Sequence, residues 1–375
     1  MTKGENWLGF YAPLKPTCHP VPSGDREVAR LLLRLLAALA PCHELSQKRC
    51  FLRHDKQDML DALHEQAVLE RARLEMLFAQ KGPPCAILTY HAYYKSPDLI
   101  AASLAQQYDI PYILCEASLR TLRPSGAWAQ AQQRCLGAVQ QAKTVLCMNP
   151  KDKDALTQVV PDHVLQDFPP IIDTSTYSAP LKISQTRQQL AARYKLDNTR
   201  PWIAVIAMMR MGAKLQSYEI LAQCAHAIGK KAQFVIMGDG EARPQIQPLF
   251  GDNTRFLGQC DHPQLIKVLR ASDCYAWPGV DEAYGLGYLE AQAAGLPVIA
   301  GNMPGTRAII NEGVSGYCIA PMDWQTHTQT LQNLLADKPL RQKMGLAART
   351  HIMAEHSMEA GAARLRKALG FAMSG

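Results

Sequence analysis

Short apolar runs alternate with longer segments of helical periodicity along almost the whole chain, and no other feature narrows the fold as much. The runs are "WLGFYAP", "CAILTYH", "PYILCEA" and "TVLCM" in the first half, then "WIAVIAMM", "QFVIMG", "TRFLG", "DCYAWP" and "PVIAG" in the second. A strand followed by a helix, many times over, marks parallel βα units, so the fold class predicted is α/β with doubly wound sheets. The alternation falters over residues 169–200, where Pro, Ser and Thr collect around one isolated helix, "SQTRQQLAARYKL", before a fresh first strand at Trp202. A boundary near residue 178 follows, giving an N-terminal Rossmann-like domain over 1–178 and a second over 179–357. The last helix, "MEAGAARLRKALGFAM", comes after the second domain is complete and is expected to pack back on the first. Open parallel sheets bind ligands at the carboxyl ends of their strands, so two such domains facing across a cleft place the residues of interest in strand-to-helix loops.

Composition removes several classes of function. With 375 residues, 47% hydrophobic and 19% charged, the chain is ordinary for a globular protein of two or three domains. The start, "MTKGENWLGFYAP", lacks a basic region followed by an apolar run, and "LLLRLLAALA" is cut by Arg34, so a soluble cytoplasmic protein is expected. The eleven cysteines include no Cys-x-x-Cys pair, which points to reduced thiols rather than disulfides or zinc. Residues 1–180 carry 19 Lys+Arg and 18 Asp+Glu, leaving 21 and 15 for the rest, so the net charge of +7 lies mostly in the second half and favours an anionic ligand there. No basic stripe interleaved with aromatics suggests nucleic acid.

Three loops of the second half are suited to phosphate. "RMGAK" sets Arg210 and Lys214 just beyond a strand end, as cations for a diphosphate or as ordinary charges at a solvated helix start. In "GDGEAR", Gly238 and Gly240 allow a tight turn with backbone near a ligand. Position 243 is Arg rather than a third glycine, which weakens a dinucleotide fingerprint, and a turn with Asp239 as cap explains the loop equally well. In "DEAYGLGYLE", Gly285, Leu286 and Gly287 open a helix whose free N–H groups and positive end can hold phosphate oxygens. Around it stand Glu282 and Glu290, eight positions apart, suited as acceptors to the hydroxyls of a sugar and of a ribose, or serving only to complement the helix dipole.

The stretch "DEAYGLGYLEAQAAGLPVIAGNMPGTRAIINEGVSGY" resembles the C-terminal signature of the family-4 glycosyltransferases, two-domain GT-B enzymes, with the E-x7-E motif at Glu282 and Glu290. "PPIID", "RMGAK", "GDGEARPQIQ" and "RFLGQCDHPQLIKVLRASDCYAWP" follow the family's order, and the similarity runs from about Trp202 to Thr350. The N-terminal half is matched by architecture and by "PSGDREVARLLLRLL". The resemblance implies that Arg210 and Lys214 face a donor diphosphate, with Glu290 at the nucleotide ribose, Glu282 at the transferred sugar, and the amides of Gly285 to Gly287 completing the cradle. Here Lys214 lies four residues after Arg210 and precedes Leu215, whereas the family usually sets its Lys one residue further and before Gly. Glu116 stands where many members have a His, and His91 ends the preceding strand.

His91 is thus a candidate for orienting the sugar or passing a proton, or else a structural histidine. Glu116 is a candidate for positioning an acceptor or removing its proton, or a partner of Arg120 or Arg123. Gly24 is read as approaching the donor and Ser23 as a helix cap. Asp152-Lys153-Asp154 mimics a metal-binding Asp-x-Asp, but Asn149 as cap and Pro150 at the first helical position explain it. No metal or other cofactor is then required. The expected reaction is transfer of a sugar from a UDP- or GDP-sugar to a hydroxyl of a glycan or glycolipid, with retention of configuration implied by the family. Cell-surface polysaccharide or lipopolysaccharide synthesis at the inner face of a membrane is the setting the resemblance suggests. A nucleotide-sugar epimerase of the same fold, or a non-catalytic nucleotide-sugar-binding protein, is the alternative.

Overall fold

The computed structural model describes residues 6–21, 23–119, 123 and 125–373. They form two compact units, one reaching to Ile171 and resuming at Met358, the other running from Ile172 to Ser357. The first holds strands β1 (Leu8–Tyr11), β2 (Cys42–Ser46), β3 (Ala86–Tyr93), β4 (Tyr112–Ser118), β5 (Thr144–Cys147) and β6 (Leu165–Asp167), ordered β2-β1-β3-β4-β5-β6. The second holds β7 (Trp202–Ile206), β8 (Gln233–Met237), β9 (Thr254–Gly258), β10 (Cys274–Trp277), β11 (Val298–Gly301) and β12 (Gly316–Ile319), ordered β12-β11-β10-β7-β8-β9. All pairings are parallel, which requires a crossover between successive strands and leaves helices over both faces. The α/β, doubly wound expectation holds for both units.

Interior strands are mostly apolar because both their faces are covered. "AILTY" at the start of β3 and "YILCEA" in β4 are buried without a break. Three strands lie outside the apolar runs of the sequence, β2 ("CHELS"), β6 ("LQD") and β12 ("GYCI"), and each is at a sheet edge with partial exposure. In the second unit the core is aromatic, with Trp202, Tyr218, Phe234, Tyr275, Trp277 and Tyr288 almost fully buried. Tyr218 meets the Trp277 ring edge-on at 4.9 Å between centroids.

The C-terminal helix Met358–Met373 belongs to the first unit, where Gln166 Nε2 donates to Arg364 O at 3.1 Å. The chain enters the second unit beside the place where it leaves, since Ile172 N donates to His356 O at 2.9 Å. All eleven cysteines are free thiols. Among the described residues, no helix is long and apolar enough to cross a membrane.

Candidate functional site

In each sheet the strand order reverses once, between β1 and β3 in the first unit and between β7 and β10 in the second. Loops leaving the two central strands turn to opposite faces there and open a crevice at the strands' carboxyl ends. Arg210, Lys214, Glu282, Glu290 and Gly285 to Gly287 follow the two central strands of the second sheet, while in the first Gly24 follows β1 and His91 lies near the end of β3.

In the second unit, the loop after β7 leads through Gly212 into the helix Ala213–Ile228, which carries Lys214 in its first turn. The loop after β10 leads through Gly285 into the helix Leu286–Ala293. Lys214 Nζ reaches across and pairs with Glu282 Oε2. The same oxygen accepts from Trp277 Nε1 at 3.3 Å, and the ammonium lies 5.4 Å from the Trp277 ring centroid. Ser217 Oγ accepts from Val280 N at 2.9 Å, tying the β10 loop to the Ala213 helix. Asp281, just before Glu282, is held at φ 52°, a left-handed conformation that L-residues adopt only under constraint. An ion pair between two loops is therefore set by packing on both sides rather than by two flexible side chains meeting in solvent.

Gly285 has φ 69°, and a Cβ there would lie 2.7 Å from the Tyr288 ring, so only glycine opens this helix without displacing the aromatic core. Leu286 and Gly287 follow as its first residues. Glu290 lies on the same helix, and its charge, with burial first and Asp173 as a further contributor, raises the Tyr177 hydroxyl well above the usual tyrosine range. Tyr177, fully buried, is a neighbour of the site that no sequence motif announced. Gly238 and Gly240 have a packing task in the loop: a Cβ on them would meet Ala207 O at 1.9 Å and Met209 O at 2.2 Å. They let the loop after β8 lie flat on the loop that carries Arg210, with Ala242 N donating to Met209 O at 3.0 Å. Asp239 does not cap the following helix; Ala242 stands at the cap, and Asp239 pairs with Arg243 at 2.7 Å. Arg210 is half-buried beside this junction.

In the first unit, Ser23 Oγ accepts from Arg26 N at 3.3 Å and caps the helix Gly24–Ala37, which sets Gly24 at the exposed helix start and Asp25 next to it. Tyr90 pairs with Cys115 and Ala92 with Ala117 across β3 and β4, so His91 and Glu116 stand opposite one another. Both have left-handed backbones, at φ 61° and 60°. Each such residue costs on the order of 1–3 kcal/mol and persists only where its surroundings enforce it. The turn aims both side chains the same way: His91 Nδ1 lies 3.2 Å from Asp25 Oδ1 and 3.9 Å from Glu116 Oε2. Burial alone would lower the imidazole's pKa, but Glu116, Asp25 and Asp152 outweigh it and raise it to about 9. Burial, opposed by His91 and aided by Asp25, pushes the Glu116 carboxyl up. The structure thus brings His91 and Glu116 together and adds Asp25 and Asp152.

Asn149 caps the helix Pro150–Leu156 as expected, its side chain accepting from Lys151 N at 3.0 Å. Asp152 is buried while Asp154 is exposed, and Lys153 between them pairs with Asp167 at 2.8 Å, so the Asp-x-Asp does not converge on one point. Among the described residues, no cluster of three or more His, Cys, Asp or Glu has the geometry to hold a metal ion. Arg123 lies over the Tyr94 ring at 4.4 Å rather than serving as a salt-bridge partner of Glu116, and Arg120 lies outside the described residues.

Residues 205–351 match the family described as "Glycosyl transferases group 1". A GDP-mannose-dependent monoacylated alpha-(1-6)-phosphatidylinositol monomannoside mannosyltransferase of Corynebacterium glutamicum is 36% identical over 148 residues, 37% of this chain and 39% of that protein. An alpha-D-kanosaminyltransferase of Streptomyces kanamyceticus is 27% identical over 184 residues, 48% of this chain and 47% of the relative. The chain therefore spans less than half the length of these curated relatives. Similarity in structure extends over nearly all of it. Sucrose-phosphate synthase from Thermosynechococcus elongatus superposes with a TM-score of 0.73 at 18% identity, covering 96% of this chain and 98% of that one. The Anabaena protein HepE in complex with UDP gives 0.72 at 14% identity, covering 98% and 100%.

Proposed function

We propose that this chain, whose residues 205–351 belong to the glycosyl transferases group 1 and whose units share the GT-B fold, moves a sugar from a nucleoside diphosphate sugar to an acceptor hydroxyl. The observation that carries this reading is the meeting of Lys214 and Glu282 at the strand-order reversal of the second sheet, next to the start of the helix Leu286–Ala293. A cation, a row of free backbone N–H groups and an acceptor-only carboxylate at one crevice suit a ligand that is both anionic and rich in hydroxyls. On binding, Lys214 exchanges the Glu282 carboxylate for the donor diphosphate, with Arg210 on the adjoining loop. Glu282 is then released to accept from the sugar's hydroxyls, and Glu290 takes the ribose diol.

Transfer makes a departing diphosphate and a sugar with oxocarbenium character. Fixed positive groups aimed at the leaving group stabilise the first without reorganising as charge develops. Two cations and a helix start supply that charge, which supports a metal-independent reaction. In the first unit, His91 and Glu116 are assigned to the acceptor, His91 as a charged donor to a hydroxyl oxygen and Glu116 as the group that receives its proton. UDP- or GDP-sugar as donor, retention of configuration, and a cell-surface glycan or glycolipid acceptor reached at the inner face of a membrane complete the reading.

The test is a thermal-shift panel of UDP, GDP, their sugars and NAD(P), each with and without chelator. A species at a hundred times its dissociation constant adds about 2.7 kcal/mol. One UDP or GDP species should shift the transition, chelator should leave the shift intact, and Glu290→Ala should remove it. A response to NAD(P) alone refutes the reading. Product analysis then separates transfer, which yields free nucleoside diphosphate and a glycosylated acceptor, from epimerisation of the donor.

A further inference from the structure

Beyond His91 the first unit carries a run of aromatic rings and cations that no step above employs. Tyr93 lies 5.2 Å from the His91 ring, Tyr94 lies 5.4 Å from Tyr93, and Trp128 lies 5.4 Å from Tyr94. All three are half-buried, so each keeps part of its surface toward solvent. Trp128 is fixed at both ends, its Nε1 donating to Leu52 O at 3.2 Å and its backbone N to Asp55 Oδ1 at 2.8 Å. Arg123 lies 4.4 Å from the Tyr94 centroid and 5.5 Å from that of Trp128, and Lys95 lies 5.7 and 4.8 Å from the same two rings. Arg49, held by its Nε–H to Leu14 O at 2.8 Å, acts electrostatically on Tyr93 and Asp25.

Among the described residues, none of Arg49, Lys95 and Arg123 forms an ion pair with a carboxylate. Lys95 and Arg123 share the same two rings, so two like charges stand close together with only ring faces to compensate them, while Arg49 stands over Phe51 and beside Tyr93. An anion at the same place would be held by charge-assisted hydrogen bonds, about twice as strong as neutral ones. The rings offer flat apolar faces and edges of the size of a pyranose, and the row leads inward to His91.

We propose that this row is the acceptor subsite and that the acceptor is a phosphorylated sugar, its ring against Tyr93, Tyr94 and Trp128 and its phosphate between Lys95 and Arg123, with Arg49 adding positive field beside Tyr93. The assignment rests on the transferase reading for the word acceptor, while the binding itself does not. The reacting hydroxyl then lies at the His91 end and the phosphate at the outer end. The phosphate can belong to a free sugar phosphate or to a lipid-linked one, because the groups it meets are the same.

The experiment measures binding by the full chain of glucose 6-phosphate, mannose 6-phosphate, the two neutral hexoses, and phosphatidylcholine vesicles with and without phosphatidylglycerol. UDP and GDP shifts are recorded on the same samples. A hexose phosphate should bind at least about tenfold more tightly than its hexose, and Lys95→Gln/Arg123→Gln should abolish that difference while nucleotide shifts stay unchanged. Arg49→Gln, outside the Tyr94–Trp128 stack, should give a smaller loss in the same direction and guards against misfolding of the double variant. Equal affinity for phosphorylated and neutral hexoses, or a preference that survives all three substitutions, overturns the proposal. Binding to anionic vesicles without any binding of hexose phosphate overturns it too, in favour of a bare membrane surface. Failure of the nucleotide shifts with hexose phosphate binding intact refutes the transferase reading and leaves the subsite standing.

Discussion

His91 and Glu116 owe their closeness to two backbone turns that neither residue type favours, and the resulting charge state carries a pH signature. The imidazole's pKa, raised to about 9, means that the folded chain binds a proton the unfolded chain releases near the ordinary histidine value of 6.5. The stabilisation is therefore complete below pH 6.5 and disappears as the pH climbs through 9, an effect of at most about 3 kcal/mol. Glu116, also raised, acts in the same direction above its own ordinary value, whereas Asp25, lowered mainly by its hydrogen bond to His91 against the opposing effect of burial, loses stabilisation only in acid. Denaturation profiles between pH 6 and 9.5 should show this decline. His91→Asn should flatten it, because Asn tolerates the left-handed backbone and carries no charge. A second prediction concerns the ion pair. Lys214→Met should weaken nucleoside diphosphate binding by about ten- to a hundredfold, the range for one hydrogen bond to a charged group. Glu282→Gln, which frees the ammonium, should leave that affinity unchanged or tighter and depress turnover of the full donor. Titration calorimetry with the nucleotide, beside a steady-state assay, distinguishes the two.

At the scale of elements, the loops depend on one another more than on their own residues. The loop after β8 lies on the loop after β7 only because Gly238 and Gly240 leave room for two carbonyls. Gly240→Ala should destabilise, where an unstrained Gly-to-Ala change stabilises by about 0.4–1 kcal/mol, and should displace Arg210 along with it. Chemical denaturation together with nucleotide affinity reads both effects. The same interdependence explains what was legible beforehand. Interior strands such as β3, β4 and β8 spell their burial in mostly apolar letters. The strands β2, β6 and β12 contact the core on fewer sides and stay outside those runs, although the edge strand β9 is legible. The second unit's crevice was visible because glycines and carboxylates lie close together in "DEAYGLGYLE". The first unit's cluster was only half visible: letters give no sign that a His and a Glu adopt left-handed turns, and the cap at Asn149 fully accounts for Asp152 as a local residue while hiding its nearness to His91. The aromatic row was invisible for another reason, since Tyr94, Arg123 and Trp128 meet only through tertiary packing.

For the whole molecule, the second unit is one uninterrupted stretch, whereas the first is assembled from two. Removal of residues 358–375 should therefore loosen the first unit and spare the second, which limited proteolysis of the truncated chain would report as new cleavage before Ile171 only. Expressed alone, residues 172–357 should unfold cooperatively and retain the UDP or GDP shift, because Lys214, Glu282 and Glu290 all lie within them. The hydrogen bond from Ile172 to His356 adds a further consequence. Entry and exit of this stretch stand side by side, as the two leads of a plug do. A homologous segment cut at the same pair of positions can be grafted in without stretching either connection, so the second unit becomes an exchangeable cassette while the first keeps its own sequence.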